Sequence, residues 1–171
     1  MRSRFITIFL LVTLLNLYAW RMLPESVASH FGRHGEPNGW SGKDIHFLVL
    51  QGLFIFLFLM FYYMPDLILK TPVRWVNIPH RGYWLRPENR TMFRKKISEA
   101  MYEMGFFLFL FFGFLVYLTM KANLSSPVIL DERTFMTVFC FYLASVVVWL
   151  VKFYRSFRIP DNDNRRQDST Q

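Results

Sequence analysis

Residue types with metal or acid–base chemistry gather in one short segment, Leu23 to Lys43 (LPESVASHFGRHGEPNGWSGK). Read as about two or three helical turns, Glu25 to His34 brings His30 and His34 to one face at an i, i+4 interval, with Glu36 nearby. Two imidazoles and a carboxylate are ligands that zinc accepts. The pattern nevertheless stops short of a site. A metallohydrolase helix reads His-Glu-x-x-His, whereas Phe31-Gly32-Arg33 separates these histidines, and the guanidinium adds positive charge where a cation would sit. His46 lies too close to the next apolar run to serve as a third ligand. No catalytic residue, metal ligand or cofactor is therefore assigned.

The same residues read better as a shape. Pro24 ends a preceding helix or opens a new turn. Gly35-Glu36-Pro37-Asn38-Gly39 is a turn cluster in which Asn-Gly favours positive φ. Trp40 suits a membrane interface, and Lys43 can reach a phosphate. A passive tether gains nothing from fixed turns and would be Gly/Ser-rich or charged. The segment is expected to be an ordered docking element carried by Pro24, His30, Phe31, Gly35, Glu36, Pro37, Gly39, Trp40 and Lys43.

What positions this element is apolar. Most of the 20 Phe fall in four charge-free blocks, Phe5 to Trp20, Phe47 to Pro65, Met104 to Met120 and Thr134 to Val151. Each approaches the roughly 20 residues that cross a hydrocarbon core. The expected fold is an all-α membrane protein, a single domain over residues 1–154. Its spans run at about 5–22, 46–65, 104–120 and 134–152, with an outer motif loop at 23–43 and a cytoplasmic loop at 66–103. The first block lacks the small-residue cleavage pattern of a secretory signal and reads as an anchor. The lone Cys140 lies inside the fourth block as structural filler.

Basic residues number 2, 3, 8, 2 and 5 in the tip, the three loops and the tail. That alternation places both termini and residues 66–103 in the cytoplasm. Positive charge flanking spans is a topology and lipid signal, so the bilayer is the expected partner and nucleic acid is not. From Pro87, Met92, Phe93, Ile97, Ala100, Met101 and Met104 recur at helical spacing, predicting an amphipathic helix on the inner leaflet that runs into span three. Trp75, Tyr83 and Trp84 suit the headgroup layer. Residues 155–171 read as a disordered tail. Asn16 and Gln51 sit at matched depth and could pair, and Gly113 with Ala144-Ser145 allows close approach of spans three and four. Asn123-Leu124-Ser125 matches a glycosylation sequon. No ionisable residue lies deep in a span, which disfavours charge-moving transporters.

Leu23-Pro24, Val27, His30-Phe31, Gly35-Glu36-Pro37, Gly39-Trp40 and Lys43 resemble the signature of a bacterial multi-pass inner-membrane family of unknown function. Its domain also forms part of SdpI-type immunity proteins of sporulation-delaying toxin systems. In that family the motif links the first spanning helix to the second. Asn77-Ile78-Pro79-His80-Arg81, Tyr83-Trp84-Leu85 and Pro87-Glu88-Asn89-Arg90 resemble a second element of its longer stand-alone members. This chain departs from SdpI-type proteins in lacking their longer multi-span C-terminal portion. The resemblance implies a bacterial inner-membrane location and an immunity- or signalling-like role, with a membrane protein or peptide as partner at the outer loop. Two other readings stand beside it: a metal-handling or membrane-embedded enzyme using His30, His34 and Glu36, and a structural subunit of a membrane complex.

Overall fold

Large apolar residues recur in seven-residue steps: Phe5, Val12 and Ala19 in the first run, Phe54 and Phe61 in the second, Phe109 and Val116 in the third. Such steps hold one helix face against a neighbour. In the computed structural model, which describes residues 1–159, these faces meet. Helix α1 (Arg2–Met22) leads into strands β1 (Ser26–Phe31) and β2 (Pro37–Gly42), then helix α2 (Lys43–Lys70). A 3-10 turn at Val73–Trp75, the short helix α3 (Arg81–Trp84) and a second 3-10 turn at Pro87–Asn89 precede α4 (Arg90–Asn123) and α5 (Glu132–Ser156). The four longer helices are long and apolar enough to cross a membrane.

Helices α1, α2 and α4 share the core, and α5 packs against α4 from outside it. The Phe5 ring lies 5.1 Å from that of Phe58, 5.5 Å from Tyr102 and 5.8 Å from Phe109. Gly105 makes room for it, because a Cβ there would fall 2.5 Å from the Phe5 ring. As expected from matched depth, buried Asn16 donates to Gln51 Oε1 at 3.4 Å; Gln51 in turn donates to Thr13 Oγ1 at 3.4 Å.

Several expectations are corrected. The fold is mostly helical but not all-α: Glu25 to His34 is no helix, and an antiparallel hairpin stands in its place. Gly32 costs a helix about 1 kcal/mol relative to Ala. The turn supplies its own bonds instead, Gly32 N–H to Glu36 O at 2.7 Å and Gly35 N–H to Gly32 O at 3.2 Å. Register runs Ala28↔Trp40, His30↔Gly39 and Phe31↔Pro37, so Ser29 and Asn38 are the unpaired residues of two bulges.

Helix α2 begins before residue 46 and passes through the buried Pro65 to Lys70. The amphipathic segment runs into the third span as the start of the 34-residue α4, roughly 51 Å long at 1.5 Å per residue, but it does not lie on a leaflet. Its apolar face meets protein: Phe93 and Ile97 pack with Trp84, Tyr83 and Phe157 in a second core. Trp84 and Tyr83 are thus buried, and only Trp75 is widely exposed. Trp84 Nε1 donates to Phe157 O at 2.8 Å, so Phe157, with Ile159 against it, belongs to the second core although the expected tail begins at 155. The remainder of the expected tail, 160–171, lies outside the described residues. Gly113 faces Val12 of α1, not α5, and Ser145 donates within its own helix to Tyr142 O. Cys140 is exposed on α5.

Candidate binding site at the hairpin

The base of the hairpin is tied where α1 ends and α2 begins. Lys43 N–H donates to Glu25 O at 3.0 Å, and its ammonium pairs with the Glu25 carboxylate at 2.6 Å. Lys43 is therefore engaged with Glu25, where the sequence suggested a free phosphate contact. Beside it, Trp20 Nε1 donates to Asp44 Oδ1 at 2.7 Å.

Strand β1 is buried at the consecutive residues Val27 and Ala28. The Ala28 N–H donates to Asn123 Oδ1 at 2.7 Å, and Asn123 Nδ2 donates back to Ala28 O at 3.0 Å. A side-chain amide carries both a donor and an acceptor, so one Asn satisfies both backbone groups as a neighbouring strand would. Asn123 is buried in this role, and its sequon is a structural pin rather than an accessible acceptor. The turn is held from a second side. Leu130 N–H donates to Gly35 O at 2.8 Å, where Gly35 has φ +79° and a Cβ would lie 2.2 Å from Leu130 O. Only glycine satisfies both the angle and the approach.

Glu36 closes the turn by accepting the His34 N–H at 2.9 Å. Its own backbone N–H, followed by that of His34, holds the Glu36 carboxyl below the ordinary carboxylate range. His30 Nδ1 lies 3.1 Å from Ser29 Oγ, and Gly39 makes room for the His30 ring. Phe31 is half-buried, Pro37 pairs with it across the hairpin, and Pro24 and Trp40 are exposed, Trp40 at 54%. The structure thus joins Glu36 to Gly32 and His34, Gly35 to Leu130, and Gly39 to His30. It does not place His30 and His34 on one helical face. Among the described residues no three His, Cys, Asp or Glu side chains gather to hold a metal ion.

Sequence reasoning missed Asn123, Leu130 and Glu25 as parts of the site. For Asn123 a signal was present: it continues the seven-residue steps of Phe109 and Val116 with a polar side chain, where only a partner could justify burial. Under the hairpin lies a cavity of about 500 Å3, bounded by the hairpin and the near ends of α2, α4 and α5.

No curated protein and no solved structure matches this chain. Residues 7–61 match a domain of unknown function (DUF1648). The chain is a multi-pass membrane protein carrying a DUF1648 domain, formed by most of α1, the whole hairpin and the larger part of α2.

Proposed function

We propose that the chain is a non-enzymatic bacterial inner-membrane protein whose hairpin, on the outer side, docks a membrane-protein or peptide partner in an immunity- or signalling-like role. One observation carries the reading: the hairpin is pinned by Asn123 and Leu130 while Trp40 stays exposed. A large aromatic held on a rigid mount binds with little ordering cost, which is what docking anchors need. The chemistry-bearing side chains support shape over catalysis. Glu36 is spent on turn N–H groups, Lys43 on Glu25, and Ser29 lies against His30. The positive-inside alternation supports cytoplasmic termini.

The test is a photo-crosslinking amino acid at position 40 in cells. A discrete protein or peptide adduct is expected there, and Asn123→Leu should weaken it while membrane insertion stays normal. Adducts with lipid alone, or an adduct indifferent to Asn123→Leu, would overturn docking at a pinned hairpin.

A further inference from the structure

The cavity beneath the hairpin, about 500 Å3, falls within the roughly 300–1,000 Å3 of small-ligand sites. Its walls are apolar and come from three membrane-length helices: Leu50 of α2, Phe112 and Val116 of α4, Phe135 and Met136 of α5. Its polar lining is different in kind. His30 and Arg33 come from the hairpin, and Glu132 comes from the first turn of α5. Arg33 and Glu132 are exposed, and among the described residues neither joins an ion pair. A cation and an anion thus border one apolar trough without neutralising each other. Because α5 packs on α4 and stays outside the α1–α2–α4 core, the trough lies between α5 and the α2–α4 side of that core.

We propose that this cavity binds one phospholipid with an amine-bearing, zwitterionic head. An acyl chain fills the trough, the phosphate faces Arg33 and His30, and the ammonium faces Glu132. Charge complementarity selects this occupant. A head carrying only negative charge would set part of it beside Glu132, whereas a zwitterion meets an opposite charge at each end. Apolar walls reject a wholly polar solute. The bilayer supplies such a lipid at the depth of the cavity. Trp40 does not line the cavity, so the inference goes beyond the docking reading and does not depend on it.

The test uses the full chain purified in mild detergent, stripped of lipid, and titrated with phosphatidylethanolamine or phosphatidylglycerol of matched chains. Native mass spectrometry reads the bound lipid. One phosphatidylethanolamine should be retained in preference. Arg33→Gln should weaken both lipids, by about tenfold, as one charge-assisted contact is lost. Glu132→Gln should weaken phosphatidylethanolamine by a similar factor and spare phosphatidylglycerol. Met136→Trp, filling the trough from a half-exposed position, should weaken both. Both charge variants change exposed side chains, so unfolding in lipid-free detergent should match the parent. Added phosphatidylethanolamine should then raise the midpoint of the parent more than that of Glu132→Gln at the same lipid concentration. Equal retention of the two lipids with no effect of Glu132→Gln, or retention indifferent to Met136→Trp, would overturn the proposal. Crosslinking through position 40 should persist in Met136→Trp, so the two readings fail separately.

Discussion

Asn123 does with one side chain what a third strand would do with its backbone, and its energetic weight comes from burial. Both Ala28 backbone groups and the amide itself lie out of solvent, so removing the amide leaves donor and acceptor unmet. An unsatisfied buried group costs about 1–3 kcal/mol. Asn123→Leu should destabilise the protein within that range and speed hydrogen exchange at the Ala28 amide. Asn123→Asp retains the acceptor for the Ala28 N–H but not the donor, and should protect that amide better than Leu does. Unchanged exchange in Asn123→Leu would mean the pin is idle. Glu36 acts at the same scale with a pH signature. Its carboxyl is held below its ordinary range in the folded turn by backbone N–H groups. The sign follows: its contribution is complete above the ordinary carboxylate value and is lost as pH falls through the lower, folded one. The side chain is solvent-exposed, so the effect should be local to the turn. Protection of the His34 amide should fall with acidification in that window, and Glu36→Gln should flatten the profile.

Between elements, polar side chains were more legible in the sequence than glycines. Asn16 and Gln51 sit at one depth on consecutive spans, and a polar side chain in an apolar run has few partners to choose from. That constraint let the α1–α2 contact be read correctly. The pair should show coupling of about 0.6 kcal/mol in a double-mutant cycle of Asn16→Leu and Gln51→Leu, measured by unfolding in mixed detergent. Additivity would assign each side chain to its other contact, Asn16 to Phe47 O and Gln51 to Thr13. A glycine carries no such information, since its use depends on which neighbour approaches. Gly113, which shares a depth with Ala144-Ser145 of the fourth span, meets Val12 of α1 instead, and the closer approach, Gly105 to Phe5, carries no local sign. The hairpin was illegible for a related reason. Val27 and Ala28 are buried consecutively, so strand alternation is broken, and the residue that fixes β1 lies 95 positions away. His30 and His34 therefore looked helical by spacing alone.

For the whole molecule, charge and packing act together at the end opposite the hairpin. The second loop carries eight Lys and Arg, on which the proposed orientation rests, but several of these cations also build the cap over the second core. Lys96 lies 4.9 Å from the Trp84 ring and donates to Ser156 O at 2.6 Å. Arg94 pairs with Asp66 at 2.7 Å, Arg90 donates to Leu69 O at 2.6 Å, and Lys152 pairs with Glu103. Packing therefore accounts for some of these cations, and the alternation of basic residues along the chain remains the ground for the proposed orientation. Cysteines at Asn38 and Ile129 test this from the hairpin end, and one at Glu88 tests it from the cap; all three positions are exposed, and Cys140→Ser removes the native thiol. An impermeant thiol reagent on intact cells should label Asn38→Cys and Ile129→Cys and spare Glu88→Cys until the membrane is opened. Labelling only at Glu88→Cys would turn the molecule over. The hairpin, its exposed Trp40 and the mouth bordered by Arg33 and Glu132 would then face the cytoplasm, and any partner would have to be sought there, while the lipid cavity would simply draw from the other leaflet.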